Sequence, residues 1–569
     1  MKFDRETILI MIVGAVIILG WTPFCRWMGW MAPPPVETRQ QTVPPSPPSA
    51  PQPVTPAAAP SPATPAVVPE NLPALPPQTL SNASIKVEFS PAAGAIRSIE
   101  LLDYLTADHE QHIVLDNNLN GRMSSPLHPG ALSVFGATPW QLVEIIDNSK
   151  IDDSTYHLQR KLATADGSEF ILTQEWTLSG DYAIVYRFSL TNLSDRPLVF
   201  SRLSISGGDL QPWHILSGDR KSRSDTNTID VLTVKDSTKS IAIDDDPEDF
   251  AVMPDAAVRW ASMSNKYFTT ILVGNTPYGL LKKRAEVTDA GRKYFLAMVG
   301  ADYYDVKLEA GQQQSFDFKY YAGPKILSQL KSFDGSTTKL MHLSSWGPIS
   351  FLAEWLLYFL IFLKGLCGSY GCSIIILTLL VRLLFWPITQ KANASMKKMA
   401  AVQPKVKELR EKYKNEPQIL NAKMMALYKE EGINPLGGCL PILLQIPVFL
   451  ALYSALNSAV QLRQVSFLWA KDLASPDTVA VLPLGFMNLS INPLVLMMTG
   501  LMIFQQRITP SAMDPTQQKM MMIMPLVMVF FFYDLPSGLT LYWTVSQIFS
   551  IIQLYWQRHS VNKAAAAKA

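Results

Sequence analysis

The pattern of hydrophobic and polar residues changes twice along the 569-residue chain. An apolar run from Ile8 to Trp21 comes first, behind the basic residues Lys2 and Arg5. No small-x-small cleavage site follows it, as a removable signal peptide would require. We therefore interpret residues 1–25 as an uncleaved N-terminal transmembrane anchor.

The next segment, residues 26–83, is dominated by proline and alanine. Of the 42 prolines in the chain, 17 lie between Pro33 and Pro77. Such a composition cannot bury an apolar core and favours an extended, semi-rigid chain. This segment is predicted to be a tether between the anchor and the next domain.

A period of two marks the segment that follows. In the stretch YAIVYRFSLTNL, Ile184, Tyr186, Phe188 and Leu190 are apolar and polar residues separate most of them, which is typical of a half-buried antiparallel strand. Similar runs recur between turn signals such as SGD and DG. Residues 84–335 are therefore predicted to form an all-β sandwich that is large enough to bury its own core.

After Trp346 the chain is apolar over long stretches, which predicts an α-helical membrane domain. About 20 apolar residues suffice to cross the hydrocarbon core of a bilayer. The predicted spans are residues 369–390, 435–460, 479–508, 519–534 and 537–557, with loops at 461–478 and 509–518 and a tail at 558–569. With the N-terminal anchor they make six transmembrane spans, five of which form a core bundle.

A basic insert, residues 391–434, separates the first two of these five spans. It carries ten Lys and Arg residues against five Glu residues, and such an excess of positive charge stays in the cytoplasm. The loop at 461–478 carries only Arg463 and Lys471 and is placed outside. Counting spans from these two loops puts both chain termini in the cytoplasm and the β domain outside.

Residues 344–366 allow two interpretations. The stretch Ile349–Leu363 is apolar enough to span a membrane, interrupted only by Glu354 and ended by Lys364. A span here would move the β domain to the cytoplasm. We predict instead an amphipathic helix on the outer membrane surface, because an anchor and a tether before the β domain fit an external position.

Within the basic insert, apolar spacing predicts a helical hairpin. Met399, Val402 and Val406 follow steps of three and four, and a second apolar row begins beyond Pro417. A basic hairpin surface suits docking of a ribosome or a targeting receptor. The candidate docking residues are Lys397, Lys398, Lys405, Lys407 and Arg410. The alternative is a solvated surface that serves only to set the topology.

Arg382 lies within the predicted span 369–390, where a central charge costs at least about 2.5–3.5 kcal/mol. The later spans carry no Asp or Glu before Asp534, which stands at an outer end. We interpret Arg382 as part of a hydrated cavity open to the cytoplasm, with Thr378 on the same helix face at i−4. The alternative is that the side chain snorkels to the inner interface across about 9 Å of helix.

Other polar side chains lie at depth in the remaining spans. Gln445 interrupts one apolar run, and the last span carries Thr544, Ser546 and Gln547. A single residue of this kind more often makes a helix–helix hydrogen bond. Together with Arg382 they fit one hydrophilic groove.

Composition narrows the class of protein. Hydrophobic residues make up 48% of the chain and charged residues 17%, against about 25% charged in typical soluble proteins, and the mean hydropathy is +0.12. The balance of 49 basic and 47 acidic residues excludes a generally basic nucleic-acid binder. Four cysteines exclude a disulfide framework, and pairing between Cys367 and Cys372 is left open.

Two other functions are less well supported by the sequence. An ion-coupled transporter usually needs intramembrane carboxylates, which the later spans lack. A membrane-anchored enzyme needs a catalytic motif, and the chain has no HExxH, GxSxG or P-loop sequence. His109 and His112 form an HxxH within a polar stretch that is typical of an exposed loop. No catalytic residue, cofactor or metal is therefore predicted.

Three long segments carry a resemblance to a known family: TLLVRLLFWPIT, MMALYKEEGINPLGGCLPILLQIPVFLALY and LPSGLTLYWTVSQ. Over almost its whole length the chain resembles the YidC membrane-protein insertases of the Oxa/Alb superfamily, in their Gram-negative form. The resemblance implies six spans in the bacterial inner membrane, both termini in the cytoplasm, and a periplasmic super-sandwich domain.

The resemblance also implies a substrate groove. The groove arginine of the family corresponds to Arg382, and Tyr542 is followed by Trp543 where the family often has a second tyrosine. The candidate groove residues are Arg382, Thr378, Gln445, Tyr542, Trp543, Thr544 and Gln547.

The function implied by the family is insertion, folding and assembly of inner-membrane proteins, alone or with a Sec-type translocon. The implied partners are nascent membrane proteins, membrane lipids, the Sec translocon, the ribosome and a targeting receptor.

Overall fold

The chain forms two compact units, Ala57–Met341 and a second unit that combines Met1–Pro56 with His342–Ala569. The computed structural model describes residues 75–116, 133–136, 140–218, 225, 227–243, 253–289, 292–344, 346–414, 416–433, 440–483, 488–509 and 515–566. The predicted anchor and residues 26–74 of the predicted tether lie outside the described residues.

The first unit is built of antiparallel strands. They are β1 (Gln78–Ser81), β2 (Ile85–Ser90), β3 (Ala95–Leu105), β4 (His112–Asp116), β5 (Ser133–Gly136), β6 (Trp140–Lys150), β7 (Thr155–Thr164), β8 (Glu169–Leu178), β9 (Ala183–Asn192), β10 (Leu198–Asp209), β11 (Thr228–Thr233), β12 (Thr238–Ala242), β13 (Met253–Ser264), β14 (Phe268–Asp289), β15 (Arg292–Leu308) and β16 (Gln313–Pro324). Two short helices accompany them, α1 (Trp213–Ser217) and α2 (Leu327–Phe333).

These strands form two sheets. The smaller sheet has the order β1-β2-β3-β4. The larger sheet has twelve strands, of which nine follow the path β12-β11-β13-β14-β16-β9-β8-β7-β6; β15 pairs with β14 and β10, and β10 pairs with β5. The predicted alternation is confirmed in β9, where Ile184, Tyr186, Phe188 and Leu190 are fully buried. An all-β domain therefore forms because one face of each such strand is apolar.

The β domain begins earlier than the sequence predicts. Strand β1 lies within the predicted tether and pairs with β2, with Leu80 opposite Val87. Both side chains are buried. The apolar Leu80 thus gains more from joining the sheet than from remaining in an extended linker.

Lys325, just after β16, is a buried cation in this unit. It is 5% exposed, and its backbone N–H donates to the Tyr267 carbonyl at 2.7 Å. Burial lowers the pKa of Lys325 from 10.5 to about 8, and the nearby carboxylate of Asp230 opposes only part of that change. At neutral pH the fold therefore bears the cost of burying an ammonium group.

Lys325→Met should stabilise the β unit at pH 7 by on the order of 2–3 kcal/mol, because it removes that cost. The gain should shrink as the pH rises from about 8 to 10.5, since the native lysine loses its proton there while the unfolded lysine keeps it. Thermal unfolding of the full-length protein in detergent, followed by the circular dichroism of the strands, measures both effects. Lys319→Met, at an exposed position on β16, is the matched control. A Lys325→Met protein no more stable than wild type at pH 7 would contradict the conclusion that the buried charge of Lys325 destabilises the β unit.

The second unit is helical. Its helices are α3 (Gly347–Cys367), α4 (Tyr370–Leu384), α5 (Trp386–Ala401), α6 (Gln403–Lys412), α7 (Pro417–Glu430), α8 (Leu440–Ser458), α9 (Pro493–Ile508), α10 (Pro515–Phe532) and α11 (Ser537–Ala566). A two-stranded hairpin, β17 (Ala480–Pro483) and β18 (Asn488–Ile491), precedes α9. Cys367 and Cys372 are free thiols.

Among the described residues, α3 is the single helix that is long and apolar enough by itself to cross a membrane. Helices α4 and α5 meet these criteria together, but they are bent by 60° at Phe385. Shorter apolar helices cover Leu443–Ser458 and Ile523–Phe532. The count of six spans therefore stays a prediction.

Helix α3 covers the segment that the sequence predicts to be interfacial. Its buried side includes Leu357 and Leu360, and the helix packs on α4 and α8. Its exposed side carries Phe351, Trp355 and Phe362, so both sides are apolar and the helix lacks the polar face of a typical surface helix. Its interfacial position stays a prediction.

Two other predicted spans differ from the helices in the structure. In the segment 479–508 the helix begins only at Pro493, because Ala480–Pro483 and Asn488–Ile491 pair as strands β17 and β18 and Pro493 occupies the first turn of α9. At the other end, α11 continues beyond residue 557 to Ala566, since the alanine-rich tail favours a helix.

The basic insert, residues 391–434, contains the predicted hairpin, with one change. Helix α5 extends past residue 391, where the insert is predicted to begin. The helix is then interrupted at Val402, and α6 begins at Gln403. The predicted apolar seam is present: Val402, Val406 and Ile433 are buried. The side chains packed around them are those of Met399, Met424, Leu427 and Tyr428.

A loop of residues 461–478 holds the ends of three helices. Phe467 packs so closely on Gly371 that no Cβ could fit at this first turn of α4. The Asp477 carboxylate accepts the backbone N–H of Leu494 at 2.7 Å in α9, and the Ser537 hydroxyl at the start of α11 donates to the Asp472 carbonyl at 2.8 Å. This loop fixes the starts of α4, α9 and α11 relative to one another.

Candidate polar site within the helical unit

Arg382 lies on the last turn of α4 and reaches α11. Its Nε donates to the Ser546 hydroxyl at 2.6 Å, and its Nη2 contacts the same oxygen. Ser546 is 2% exposed, while Arg382 is half-buried. No described carboxylate lies within salt-bridge distance of the guanidinium, so the partner that the structure gives this cation is neutral.

A second contact brings a third helix to the same place. Gln445 of α8 donates its side-chain amide to the hydroxyl of Tyr542 on α11. Tyr542 is 1% exposed. Because Tyr542 and Ser546 stand at i and i+4, they lie on one face of α11. Helices α4, α8 and α11 therefore converge on a small set of polar groups, which we call the polar site: Arg382, Gln445, Tyr542 and Ser546.

Thr378 is not part of this contact set. The sequence predicts that it shares a hydrated face with Arg382, but its side chain is fully buried and its hydroxyl donates to the Ile374 carbonyl at 2.6 Å. A threonine within a helix often bonds the carbonyl four residues earlier in this way. The hydroxyl is thus satisfied within α4.

Three further groove candidates on α11 make no hydrogen bond to Arg382. The Thr544 hydroxyl donates to the Thr540 carbonyl at 2.8 Å. Trp543 packs edge-on against Phe449 and Phe532, with 5.1 Å between ring centroids in each pair. Gln547, one turn beyond Trp543, is half-buried, and no hydrogen bond joins its side chain to another described residue. Of the predicted groove residues, Arg382, Gln445 and Tyr542 therefore belong to the polar site, whereas Thr378, Trp543, Thr544 and Gln547 do not.

Ser546 is the site residue that the sequence-based choice omits. The serine is visible in the sequence as a polar residue at depth, but its pairing with Arg382 spans 164 positions. The available signal is its spacing of four from Tyr542, which places both side chains on one helix face.

The predicted docking residues lie on α5 and α6. Lys397, Lys398, Lys405 and Lys407 are exposed and Arg410 is half-buried. Lys405 pairs with Glu431 at 2.6 Å, and this carboxylate raises the pKa of Lys405. The remaining exposed lysines present positive charge to the solvent.

The histidines of the HxxH motif do not form a metal site with their neighbours. His109 is exposed in the turn before β4, as the sequence predicts, whereas His112 is the first residue of β4 and is half-buried. In the part of the chain that the structure describes, no three His, Cys, Asp or Glu side chains come close enough to hold a metal ion.

A β-sheet unit joined to apolar helices, of which α3 is long enough to cross a bilayer, indicates a membrane protein with a large extramembrane domain. Comparison with known families supports this class. The family described as 60Kd inner membrane protein matches residues 362–564, and the YidC periplasmic domain family matches residues 78–359.

Individual relatives agree with the family matches. A membrane protein insertase YidC of Oleidesulfovibrio alaskensis is 30% identical over 591 residues, which cover 97% of this chain and 99% of that protein. One from Syntrophobacter fumaroxidans is 38% identical over 334 residues. That alignment spans little more than half of each protein, 58% of this chain and 57% of the relative.

The match to a crystal structure of an active YidC insertase covers 84% of this chain and 92% of the chain in that structure, at 17% identity and a TM-score of 0.36. That score is too low to support a conclusion about shared structure. The sequence matches are decisive: the chain belongs to the YidC family of membrane protein insertases. It is accordingly an inner-membrane protein with a periplasmic domain, and the β unit is that domain.

Proposed function

We propose that this protein inserts nascent membrane proteins into the bacterial inner membrane and that the polar site receives their hydrophilic segments. The observation that carries the proposal is the contact between Arg382 and the neutral hydroxyl of Ser546. A cation held by a neutral group retains its full charge for an incoming carboxylate. A hydrogen bond between such a carboxylate and the guanidinium contributes about 1.5–3 kcal/mol.

The surroundings of Arg382 support a transient role. Tyr542 and Ser546 are almost fully buried, so a segment that reaches them leaves bulk water behind. Away from bulk water the effective dielectric constant is lower, so the attraction between Arg382 and a substrate carboxylate is stronger than in water. Because the groups of the polar site are a cation, an amide and two hydroxyls, they suit hydrophilic chains of varied sequence.

The proposed topology has six spans, with both termini in the cytoplasm and the β unit in the periplasm. The basic insert supports this orientation, because its exposed lysines belong on the cytoplasmic side. In this arrangement α6 and α7 form a cytoplasmic docking arm for the ribosome or a targeting receptor. The Sec translocon is the proposed partner for substrates with large translocated domains.

Reconstitution tests the proposed function directly. Purified full-length protein in liposomes should insert an in vitro synthesised membrane protein without added nucleotide, metal or ion gradient, as measured by protease protection of the inserted segment. Liposomes that contain an unrelated six-span protein provide the control for spontaneous insertion. Equal protection in both kinds of liposome would contradict the proposal.

The β unit should be dispensable for insertion, because α4, α8 and α11 alone supply the polar site. Deletion of residues 78–324 should leave complementation of an insertase-depleted strain mostly intact. A matched deletion that also removes α3 should fail, since Leu357 and Leu360 on its buried face help to pack the core. Loss of complementation by the first deletion, with normal protein levels, would show that the β unit takes part in insertion.

A further inference from the structure

Two polar contacts continue along α11 beyond the polar site. The Gln553 amide donates to the Thr389 hydroxyl at 2.9 Å, and the Asn393 amide donates to the Gln557 side-chain oxygen at 3.2 Å. Thr389 and Asn393 belong to α5, whereas Arg382 belongs to α4. Neither contact is needed to build the polar site.

The three contacts share one register. Each of the pairs Arg382–Ser546, Thr389–Gln553 and Asn393–Gln557 is separated by 164 residues. Equal separations mean that the α4–α5 segment and α11 run in the same direction. Steps of seven and four place Ser546, Gln553 and Gln557 on one face of α11, and the step of four places Thr389 and Asn393 on one face of α5. We call these three pairs the polar ladder.

The ladder crosses the 60° bend between α4 and α5. The Thr389 hydroxyl lies 3.1 Å from the Phe385 carbonyl oxygen and 3.0 Å from that of Trp386, which are the carbonyls at the bend. The same hydroxyl accepts the hydrogen bond from Gln553. The middle contact of the ladder is therefore attached to the bend itself.

The middle pair of the ladder is buried, and aromatic rings pack between the same two helices. Thr389 is 8% and Gln553 is 3% exposed. Trp386 stands edge-on to Phe549 and to Trp556 of α11, with 5.6 Å between ring centroids in each pair. Apolar side chains at positions 389 and 553 would hold the helices together at least as firmly. What a buried polar pair adds between helices is one preferred register, because a slip leaves its polar groups without partners.

We propose that Thr389–Gln553, assisted by Asn393–Gln557, is a positioning contact that fixes the register of α5 on α11. Helix α5 leads directly into α6. A slip of α5 along α11 by one helical turn would therefore displace the docking arm, α6 and α7, by about 5.4 Å. The same slip would move Arg382 away from Ser546. The inference rests on the proposed function, because its consequence is that one register of α5 supports insertion.

The test measures register and insertion separately. In full-length protein with its native cysteines replaced by serine, a cysteine at Asn393 is paired with a cysteine either at Gln557, the native register, or at Val561, one turn further along α11. A short bifunctional thiol reagent is applied to both pairs in liposomes. With Thr389 and Gln553 intact, the 393–557 pair should cross-link and the 393–561 pair should not.

Thr389→Val combined with Gln553→Leu keeps the volume and removes the polarity. In this background the 393–561 product should appear and the 393–557 product should fall. Without the added cysteines, the double variant should insert substrate at least fivefold more slowly while its thermal midpoint stays equal to that of wild type or rises. Thr389→Ser, which keeps the hydroxyl, should retain both the native cross-link and insertion.

Gln506→Leu on α9 is the matched control, since it makes the same chemical change at a half-buried position outside the ladder. Gln506→Leu should change neither the cross-linking pattern nor the rate of insertion. An apolar double variant that cross-links only at 557 would overturn the proposal, whatever its insertion rate, and so would a loss of insertion that follows a fall in thermal midpoint. Failure of wild-type protein to insert any substrate would instead refute the proposed function, while the cross-links would still decide the register.

Discussion

Arg382→Ala should slow the insertion of substrates whose translocated segments carry Asp or Glu by about tenfold or more, because a charge-assisted hydrogen bond contributes about 1.5–3 kcal/mol. Substrates with uncharged translocated segments should be little affected. Arg382→Lys should fall between the alanine variant and wild type, since the ammonium keeps the charge but loses the planar fork of donors. Protease protection of paired substrates that differ only in the acidic residues measures the effect.

Ser546→Ala provides the matched control for this prediction. It removes the neutral partner of Arg382 but leaves the charge in place, so insertion of acidic substrates should fall less than with Arg382→Ala. Protein levels must be compared for each variant. Equal insertion of acidic and uncharged substrates by Arg382→Ala would indicate that the arginine only snorkels to the interface.

Deletion of residues 399–430 should abolish insertion while the remaining helices still enter the membrane. The deleted segment contains α6, α7 and most of the apolar seam around Val402 and Val406, so it is removed as one packed unit. Complementation in a depleted strain, with membrane extraction to confirm that the shortened protein is inserted, measures the loss. The expected result is no growth on depletion.

A charge variant of the same hairpin separates docking from architecture. Replacing the five docking residues with glutamine leaves the seam intact and removes the positive surface; these are Lys397, Lys398, Lys405, Lys407 and Arg410. If the hairpin docks acidic or RNA surfaces, binding of ribosomes should weaken and become less sensitive to salt. Full activity of both the deletion and the charge variant would mean that the insert serves only to set the topology.

The β unit is the part of the fold that the sequence predicts best. Its strands bury one face, so Ile184 and Phe188 recur with a period of two that needs no knowledge of the partner strand. The start of the domain is harder to predict. Leu80 stands alone in a proline-rich stretch, and its burial depends on pairing with β2.

The helical unit is less predictable because apolar composition does not fix secondary structure. Val481 and Leu482 are predicted to belong to a membrane span, yet they lie in strand β17, whose side chains are all exposed. The bend at Phe385 precedes Pro387, a residue that disfavours a continuous helix.

The polar site could be predicted only in part. Arg382 is identifiable because charge within an apolar run is costly, and Gln445 and Tyr542 follow from polarity at depth and from family resemblance. The pairing of Arg382 with Ser546 depends on how two helices 164 residues apart lie against each other. Thr378 is predicted to share a hydrated face with Arg382, because it lies four residues earlier on the same helix. In the structure its hydroxyl donates instead to the Ile374 carbonyl of that helix.

The central claim is that Arg382 meets the charge of the incoming chain, and an exchange of charges tests it most directly. Arg382→Glu is reconstituted with two versions of one substrate, whose translocated segment carries either aspartates or lysines at the same positions. The account predicts that wild-type protein favours the aspartate version and that Arg382→Glu favours the lysine version. The measurement is the ratio of protease-protected lysine substrate to aspartate substrate. A ratio that is the same for wild type and Arg382→Glu would contradict the account.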